Sequence, residues 1–179
     1  WTDVMHGDDT AGQKYPLCLL LHDMRVPMNV GSIFRVADAL GVEKIYLCGN
    51  TPRPPNDKIR KTSRATEKYV PYVYTANVLA LVQQLKAEQY RIVSLEITPD
   101  STDIQHFAGS GDERICLILG SEKDGVSRAL LEASDDIIHI PMLGWNASMN
   151  VATACAIAVF EITRKCYGPG QIAVERFRT

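Results

Sequence analysis

The chain has 179 residues, a hydrophobic content of 46%, a charged content of 22% and a formal net charge of -2. This composition is typical of one globular domain with a sizeable core, and it excludes an intrinsically disordered chain. The weakly acidic balance also excludes an overall basic footprint, so binding to nucleic acid has to depend on a local patch of cations.

The first half of the chain alternates between strand-like and helix-like patterns. A continuous apolar run at 17–22 predicts a strand that is buried on both faces. Asn29 is the expected N-cap of a helix that runs to about Leu40 and is closed by Gly41. The pattern then predicts strands at 42–48, 70–74 and 91–97 and a helix at 78–88.

The second half continues this alternation. It predicts a loop with one helical turn at 98–112, a strand at 115–119, a helix capped by Ser127 through Ala133, and a strand at 137–142. A turn at 143–147 then leads into an alanine-rich helix at 149–162, with Ser148 at the N-cap position. Because this last helix is apolar on every face, we expect it to be buried all round.

Regular alternation of strands and helices predicts an α/β domain, with a mostly parallel sheet and helices on both faces. Ligands of such sheets bind beyond the carboxyl ends of the strands. Three turns qualify here, at 23–31, 120–126 and 143–150. No G-x-G-x-x-G follows the first strand, so a dinucleotide-binding domain is set aside.

Three sequence motifs fall at these turns. They are N-V-G-S-I-F-R-V-A-D-A-L-G at 29–41, L-G-S-E-K-D-G-V-S at 119–127 and I-P-M-L-G-W-N-A-S-M-N-V-A at 140–152. In this order they resemble the signature motifs of the SpoU (TrmH-like) RNA 2′-O-ribose methyltransferases of the SPOUT superfamily. The resemblance covers about residues 17–166 and implies a deep trefoil knot formed by the C-terminal segment. It also implies a homodimer, S-adenosylmethionine as the cofactor, and RNA as the substrate.

The resemblance also implies roles for individual residues. The cofactor would be bound around Leu95, Gly120, Ile140, Ser148 and Met149. The catalytic group would be Arg35, Asn29, Glu122, Ser148 and Asn150, with Arg35 at the ribose and phosphate and Glu122 holding Arg35 or the substrate. Simpler roles stay open, because Asn29 and Ser148 could act only as helix caps and Arg35 could be an exposed helical arginine.

A basic segment lies between the first two motifs. Residues 53–68 carry six cations and two anions, a local charge of 6 − 2 = +4. We expect RNA phosphates to bind there, with the alternative that the segment is only a solvated face, and the candidate residues are Arg53, Lys58, Arg60, Lys61 and Arg64. The K-T-S-R-A-T-E-K-Y-V-P part resembles the tRNA-modifying branch, which favours tRNA over rRNA. Trp145 is expected to stack on a base or to lie in the dimer interface.

The remaining expectations concern organisation and location. Residues 1–16 are expected to be a poorly ordered extension, 17–166 the methyltransferase domain and 167–179 a tail. The five cysteines form no C-x-x-C motif, which predicts reduced, buried thiols and no metal site. The sequence also has no apolar run long enough to predict a membrane span. We therefore expect a cytoplasmic protein. The competing functions are rRNA methylation and a catalytically silent RNA-binding dimer of the same fold.

Overall fold

The structure is a computed structural model that describes residues 12–146 and 148–172. The strands in this part of the chain are β1 (Tyr15–His22), β2 (Val42–Cys48), β3 (Tyr72–Thr75), β4 (Tyr90–Leu95), β5 (Thr102–Asp103), β6 (Arg114–Leu119) and β7 (Asp136–His139). The helices are α1 (Pro27–Leu40), α2 (Asp57–Ser63), α3 (Val78–Ala87), α4 (Arg128–Ala133) and α5 (Val151–Tyr167). Short 3-10 helices lie at Thr66–Lys68 and Ile104–His106.

The strands form one sheet in the order β3-β2-β1-β6-β4-β7-β5, and each neighbouring pair is parallel. Side chains of a strand alternate between the two faces, so β1 sends Leu19 to one core and Leu20 to the other. Helices α1, α2 and α5 cover the first face, and α3 and α4 cover the second. The predicted α/β class, with a parallel sheet and helices on both faces, is therefore confirmed.

The C-terminal part of the chain has an unusual route through the sheet. Strand β7 is inserted between β4 and β5, which are consecutive in the sequence. The chain then returns as α5 against α1 and β1, and the Lys165 ammonium donates to the carbonyl of Ile104 over 3.0 Å. This insertion is compatible with threading of the C-terminal segment, and the trefoil knot itself stays a prediction.

Two predicted helix caps are wrong. Helix α1 begins at Pro27, because proline needs no N–H partner in a first turn, and this places Asn29 inside the helix rather than at its cap. Helix α5 begins at Val151, and its cap is Asn150, whose side-chain oxygen accepts from the N–H groups of Ala152 and Thr153. Ser148 therefore lies outside the helix, and the side chains of Asn29 and Ser148 are available for other contacts.

The prediction that the last helix is buried all round is wrong for the single chain. Cys155, Ala158 and Ile162 lie in the core, whereas Ile157 is 40% exposed and Phe160 is 56% exposed. Within the described part of the chain, helix α5 thus has an outward apolar face that includes exposed Ile157 and Phe160.

Several element boundaries also differ from the predicted ones. The seven-residue helix α2 was not predicted, because its apolar residue Ile59 is surrounded by cations. Strand β7 ends at His139 rather than at residue 142. The single helical turn expected within 98–112 is present at Ile104–His106.

The ends of the described chain pack on the domain. Tyr15, inside the expected N-terminal extension, begins β1, and its ring stacks on Tyr167 at a centroid distance of 5.5 Å. The expected extension and tail otherwise fall mainly on residues 1–11 and 173–179, which lie outside the described residues.

None of the helices in the described part combines the length and apolar character that a bilayer crossing needs.

Candidate functional site

A cavity of about 780 Å³ opens at the carboxyl ends of β4, β6 and β7. The loops after these strands and the beginning of α5 form its walls. The structure brings together in these walls all five residues that were predicted to bind the cofactor, which are Leu95, Gly120, Ile140, Ser148 and Met149. The cavity therefore lies where a parallel sheet is expected to bind its ligand.

The loop after β6 is closely packed, and its glycines explain how. A side chain at Gly120 would collide with the backbone of Gly125. Gly125 has a φ of +71° and lies against the Glu96 carboxylate, where a side chain would also collide. These two glycines let the loop fold back on itself through the bonds between Ser121 and Gly125, at 3.0 and 2.9 Å.

Glu96 joins two walls of the cavity. One carboxylate oxygen accepts from the N–H of Val126 at 2.9 Å, and the other accepts from its own neighbour Ile97 at 2.9 Å. The loop after β4 is thereby fixed to the loop after β6. Sequence reasoning missed Glu96, because its partners are backbone groups that no spacing reveals.

A chain of three polar side chains crosses the edge of the cavity. The Asn29 amide nitrogen donates to Glu122 over 3.2 Å, and the Asn150 amide nitrogen donates to the Asn29 oxygen over 3.0 Å. Asn150 uses its own oxygen to cap α5. Because a carboxylate only accepts hydrogen bonds, each amide has one defined orientation. Three residues predicted to be catalytic, one from each motif, therefore form a single connected unit.

The Glu122 carboxylate is also fixed by backbone groups. Its oxygens accept from the N–H groups of Arg25 at 3.2 Å and Val26 at 3.1 Å, just before α1. A negative charge is favourable there, because the N-terminus of a helix carries a partial positive charge. Glu122 was expected to hold either Arg35 or a polar group of the substrate. It does not contact Arg35, because its carboxylate oxygens bond at this helix end and to Asn29, and the contact with the substrate stays a prediction.

Arg35 lies apart from the cavity. It is exposed on α1, it does not line the cavity, and within the described chain it makes no hydrogen bond or ion pair. It lies off the buried face of α1, which Val30, Ile33, Phe34 and Ala37 form. The structure leaves the guanidinium free to meet a substrate from the solvent side.

Two further polar residues, Thr98 and His139, line the cavity near β7, and Ser101 bonds to both. The Ser101 hydroxyl and the Nδ1 atom of His139 are 2.8 Å apart, and Ser101 also bonds to the backbone of Thr98. Within the described chain, the Thr98 hydroxyl is the one buried side-chain polar atom without a hydrogen-bond partner. Neither His139 nor Thr98 was among the site residues predicted from the sequence.

The loop between β7 and α5 exposes two large apolar side chains. Leu143 and Trp145 are almost completely exposed, and they lie between the cavity-lining residues Met142 and Ser148. Ala147, which was predicted in the same turn, lies outside the described residues. The loop thus presents apolar surface beside the mouth of the cavity.

The predicted basic segment forms α2 and its flanking loops. Asn56 caps α2, and the Thr62 hydroxyl donates to the carbonyl of Met28 over 2.7 Å. Gly31 allows this close approach, because a side chain there would collide with the carbonyl of Ile59. The five predicted RNA-binding cations are all exposed, namely Arg53, Lys58, Arg60, Lys61 and Arg64.

The cysteines take no part in the cavity. All five are free and buried, which confirms the prediction of buried thiols, and burial raises the pKa of Cys48 and of Cys155 to about 12. Across 12–146 and 148–172, no group of three His, Cys, Asp or Glu side chains is arranged to hold a metal ion.

Comparison with known proteins gives consistent matches. The sequence model of the SpoU rRNA Methylase family matches residues 16–160. A protein of Staphylococcus aureus assigned to the TrmH family of tRNA/rRNA methyltransferases is 29% identical over 154 residues, which cover 86% of this chain and 61% of that protein.

Two crystal structures show the same fold. The SpoU methyltransferase AviRb from Streptomyces viridochromogenes has a TM-score of 0.76 at 25% identity, covering 89% of this chain and 63% of that one. An AdoMet-bound rRNA methyltransferase from Sinorhizobium meliloti has a TM-score of 0.77 at 26% identity, covering 86% and 57%. The chain therefore spans about three fifths of the length of these relatives.

Proposed function

Since the chain belongs to the SpoU rRNA Methylase family, we propose that it transfers a methyl group from S-adenosylmethionine to a ribose 2′-hydroxyl of RNA. The observation that carries this proposal is the Glu122–Asn29–Asn150 chain at the edge of the cavity. It joins residues of three separate motifs into one polar surface next to a binding cavity. A structural role alone does not require three motif side chains to meet there.

The cavity fits S-adenosylmethionine in size and chemistry. Its volume of about 780 Å³ lies in the range of small-molecule sites. Leu95, Ile140 and Met149 supply apolar walls for an adenine, and Gly120 allows the backbone to approach closely. A solved relative from Sinorhizobium meliloti carries AdoMet. When bound, this cofactor supplies an electrophilic methyl group on a sulfonium.

The polar chain and Arg35 are proposed to hold the RNA. Direct methyl transfer needs alignment and a site shielded from water more than it needs a metal. Asn29, Asn150 and Ser148 would orient the target ribose, with Glu122 fixing Asn29. Arg35 would bind the adjacent phosphate, because an arginine is essentially always protonated and is a poor base.

We propose tRNA as the substrate class to be tested first. The exposed cations of α2 support RNA binding, and the segment that contains them resembles the tRNA-modifying branch. The relatives carry names that include both tRNA and rRNA. Ribosomal RNA is therefore the second substrate in the same assay.

A second copy of the chain is proposed to cover the outward face of α5. Ile157 and Phe160 are exposed on α5, and Val26 and Met28 are exposed at the start of α1, which packs against α5. Exposed apolar side chains on two adjoining helices are typical of an interface. Dimerisation would shield them from water.

The proposed function is tested by methyl transfer from labelled S-adenosylmethionine to bulk tRNA, to rRNA and to a sample without RNA. We expect transfer to one RNA class only. Calorimetry with S-adenosylhomocysteine measures the cofactor site independently. Absence of binding and of transfer to either RNA would leave the catalytically silent RNA-binding dimer as the better description.

A further inference from the structure

Arg53 lies on the face of an aromatic ring in the loop between β2 and α2. The guanidinium carbon of Arg53 is 4.3 Å from the ring centroid of Tyr74 on β3. The Tyr74 hydroxyl donates to the carbonyl of Gly49 over 2.8 Å, which fixes the ring beneath the arginine. An arginine over a tyrosine ring is held by the attraction of a cation to the ring face. The guanidinium therefore has a defined place although Arg53 is exposed.

Arg53 differs from the other arginines that lie on aromatic rings in the described chain. Arg91 lies on a ring but also pairs with two carboxylates, those of Asp136 and Glu113. Arg114 donates to the carbonyl of Glu88, and Arg164 pairs with Glu161. Arg53 alone has the ring as its partner, with no hydrogen bond or carboxylate among the described residues. Its N–H groups and its outer face are thus available to a ligand.

The loop that carries Arg53 is firmly anchored. The Thr51 hydroxyl is buried, donates to backbone carbonyls of the strand ends and accepts from the N–H of Met24 at 3.1 Å. The N–H of Asn50 donates to the Asp23 carboxylate over 2.8 Å. A fixed loop loses little conformational entropy when a ligand binds to it.

The same contacts connect Arg53 with the cavity. Thr51 bonds to Met24, and the next two residues, Arg25 and Val26, donate to Glu122 in the cavity wall. Strand β3, which carries the Tyr74 ring beneath Arg53, lies three strands from β6, a separation of roughly 14 Å at the usual spacing. An RNA strand bound at the cavity can therefore reach Arg53 within a few nucleotides.

We propose that Arg53, supported by Tyr74, is a stacking platform for an unpaired nucleobase near the methylated nucleotide. This inference rests on the proposed function, because it requires RNA at this face. Proteins recognise unpaired bases by stacking them on aromatic rings or on arginine planes. Contact with the base distinguishes this role from the phosphate contacts expected of Arg60 and Lys61.

The test compares two probes of equal length and charge, a single-stranded RNA decamer and the same sugar–phosphate chain without bases. The wild type should bind the decamer more tightly than the abasic chain. Arg53→Ala should weaken decamer binding by about tenfold, because stacking contributes about 1–3 kcal/mol per base. Binding of the abasic chain should change by at most about twofold. Fluorescence anisotropy at one low salt concentration measures both affinities.

Three further variants separate stacking from charge. Arg53→Lys keeps the charge but loses the planar group, so it should behave as the alanine variant does toward the decamer. Tyr74→Leu removes the ring beneath Arg53, so it should lose the same part of the decamer affinity, the part that depends on the bases. Thermal unfolding checks that this variant is folded. Arg128→Ala is the charge-matched control, since Arg128 is exposed on α4 and pairs only with Glu132 in the described chain.

An equal loss on both probes in Arg53→Ala, or full recovery in Arg53→Lys, would show a phosphate contact and overturn the platform. So would a wild type that does not distinguish the two probes. The proposed function is judged separately, by S-adenosylhomocysteine binding and methyl transfer. A protein that transfers methyl groups but fails the probe comparison would refute only the platform.

Discussion

Replacing Asn150 by alanine should cost more stability than the loss of a helix cap alone. Loss of an asparagine cap costs about 1 kcal/mol. Asn150→Ala also removes the 3.0 Å bond to Asn29, and this exposed hydrogen bond is expected to contribute about 0.5–1 kcal/mol. We therefore expect a total loss of about 1.5–2 kcal/mol in the free energy of unfolding. Urea denaturation with a common m-value measures this loss.

The matched control is Asn77→Ala, because Asn77 is an exposed cap of α3 whose side chain accepts only from Ala80. It should lose about 1 kcal/mol. A double-mutant cycle between Asn29 and Asn150 should give a coupling of about 0.5–1 kcal/mol. Equal losses at Asn77 and Asn150, together with additive effects in the cycle, would refute the connected polar chain.

Four further predictions concern separate parts of the molecule. Arg35→Ala should abolish methyl transfer while changing the free energy of unfolding by at most about 0.5 kcal/mol. Activity of Arg35→Lys shows whether a positive charge alone is sufficient for methyl transfer. Normal turnover in the alanine variant would exclude a catalytic role. Reversing the charge at Arg60 and Lys61 should weaken tRNA binding, and this effect should become smaller as the salt concentration rises. The affinity for S-adenosylhomocysteine should not change. Unaltered tRNA affinity at low salt would show that the basic segment is only a solvated face. Phe160→Glu should give a monomer in sedimentation at micromolar concentration, whereas a monomeric wild type would contradict the dimer. Thr98→Val should not lower the stability of the free protein, because the Thr98 hydroxyl has no partner in the described chain, and a loss above about 1 kcal/mol in urea denaturation would show that it has one.

The parts of the fold that follow from local pattern were predictable from the sequence. The apolar run at 17–22 predicts a buried central strand, and β1 lies inside the sheet with both faces covered. Ser127 was predicted to cap a helix through Ala133, and it does, by accepting from Leu130. The cofactor residues were taken from motif positions, and the loops after parallel strands bring them to one edge.

The parts that depend on contacts between distant segments were not predictable. Asparagine commonly caps helices, but α1 begins at Pro27 and leaves Asn29 inside the helix. Asn29 bonds instead to Glu122 and Asn150, which are more than 90 positions away in the sequence. Glu122 was expected to hold either Arg35 or the substrate, and the sequence did not predict that the backbone N–H groups before α1 donate to its oxygens. Helix α2 is short and highly charged, so its periodicity is weak, and it is stabilised by its packing on α1.

The chemical position of the transferred methyl group tests the central proposal most directly. Methylated RNA from the transfer assay would be hydrolysed in alkali, which cannot cleave a phosphodiester next to a 2′-O-methylated ribose, because the 2′-hydroxyl is the attacking group. We predict that all the label is recovered in alkali-resistant dinucleotides. Label in the mononucleotides that alkali releases would place the methyl group on a base and contradict ribose 2′-O-methylation.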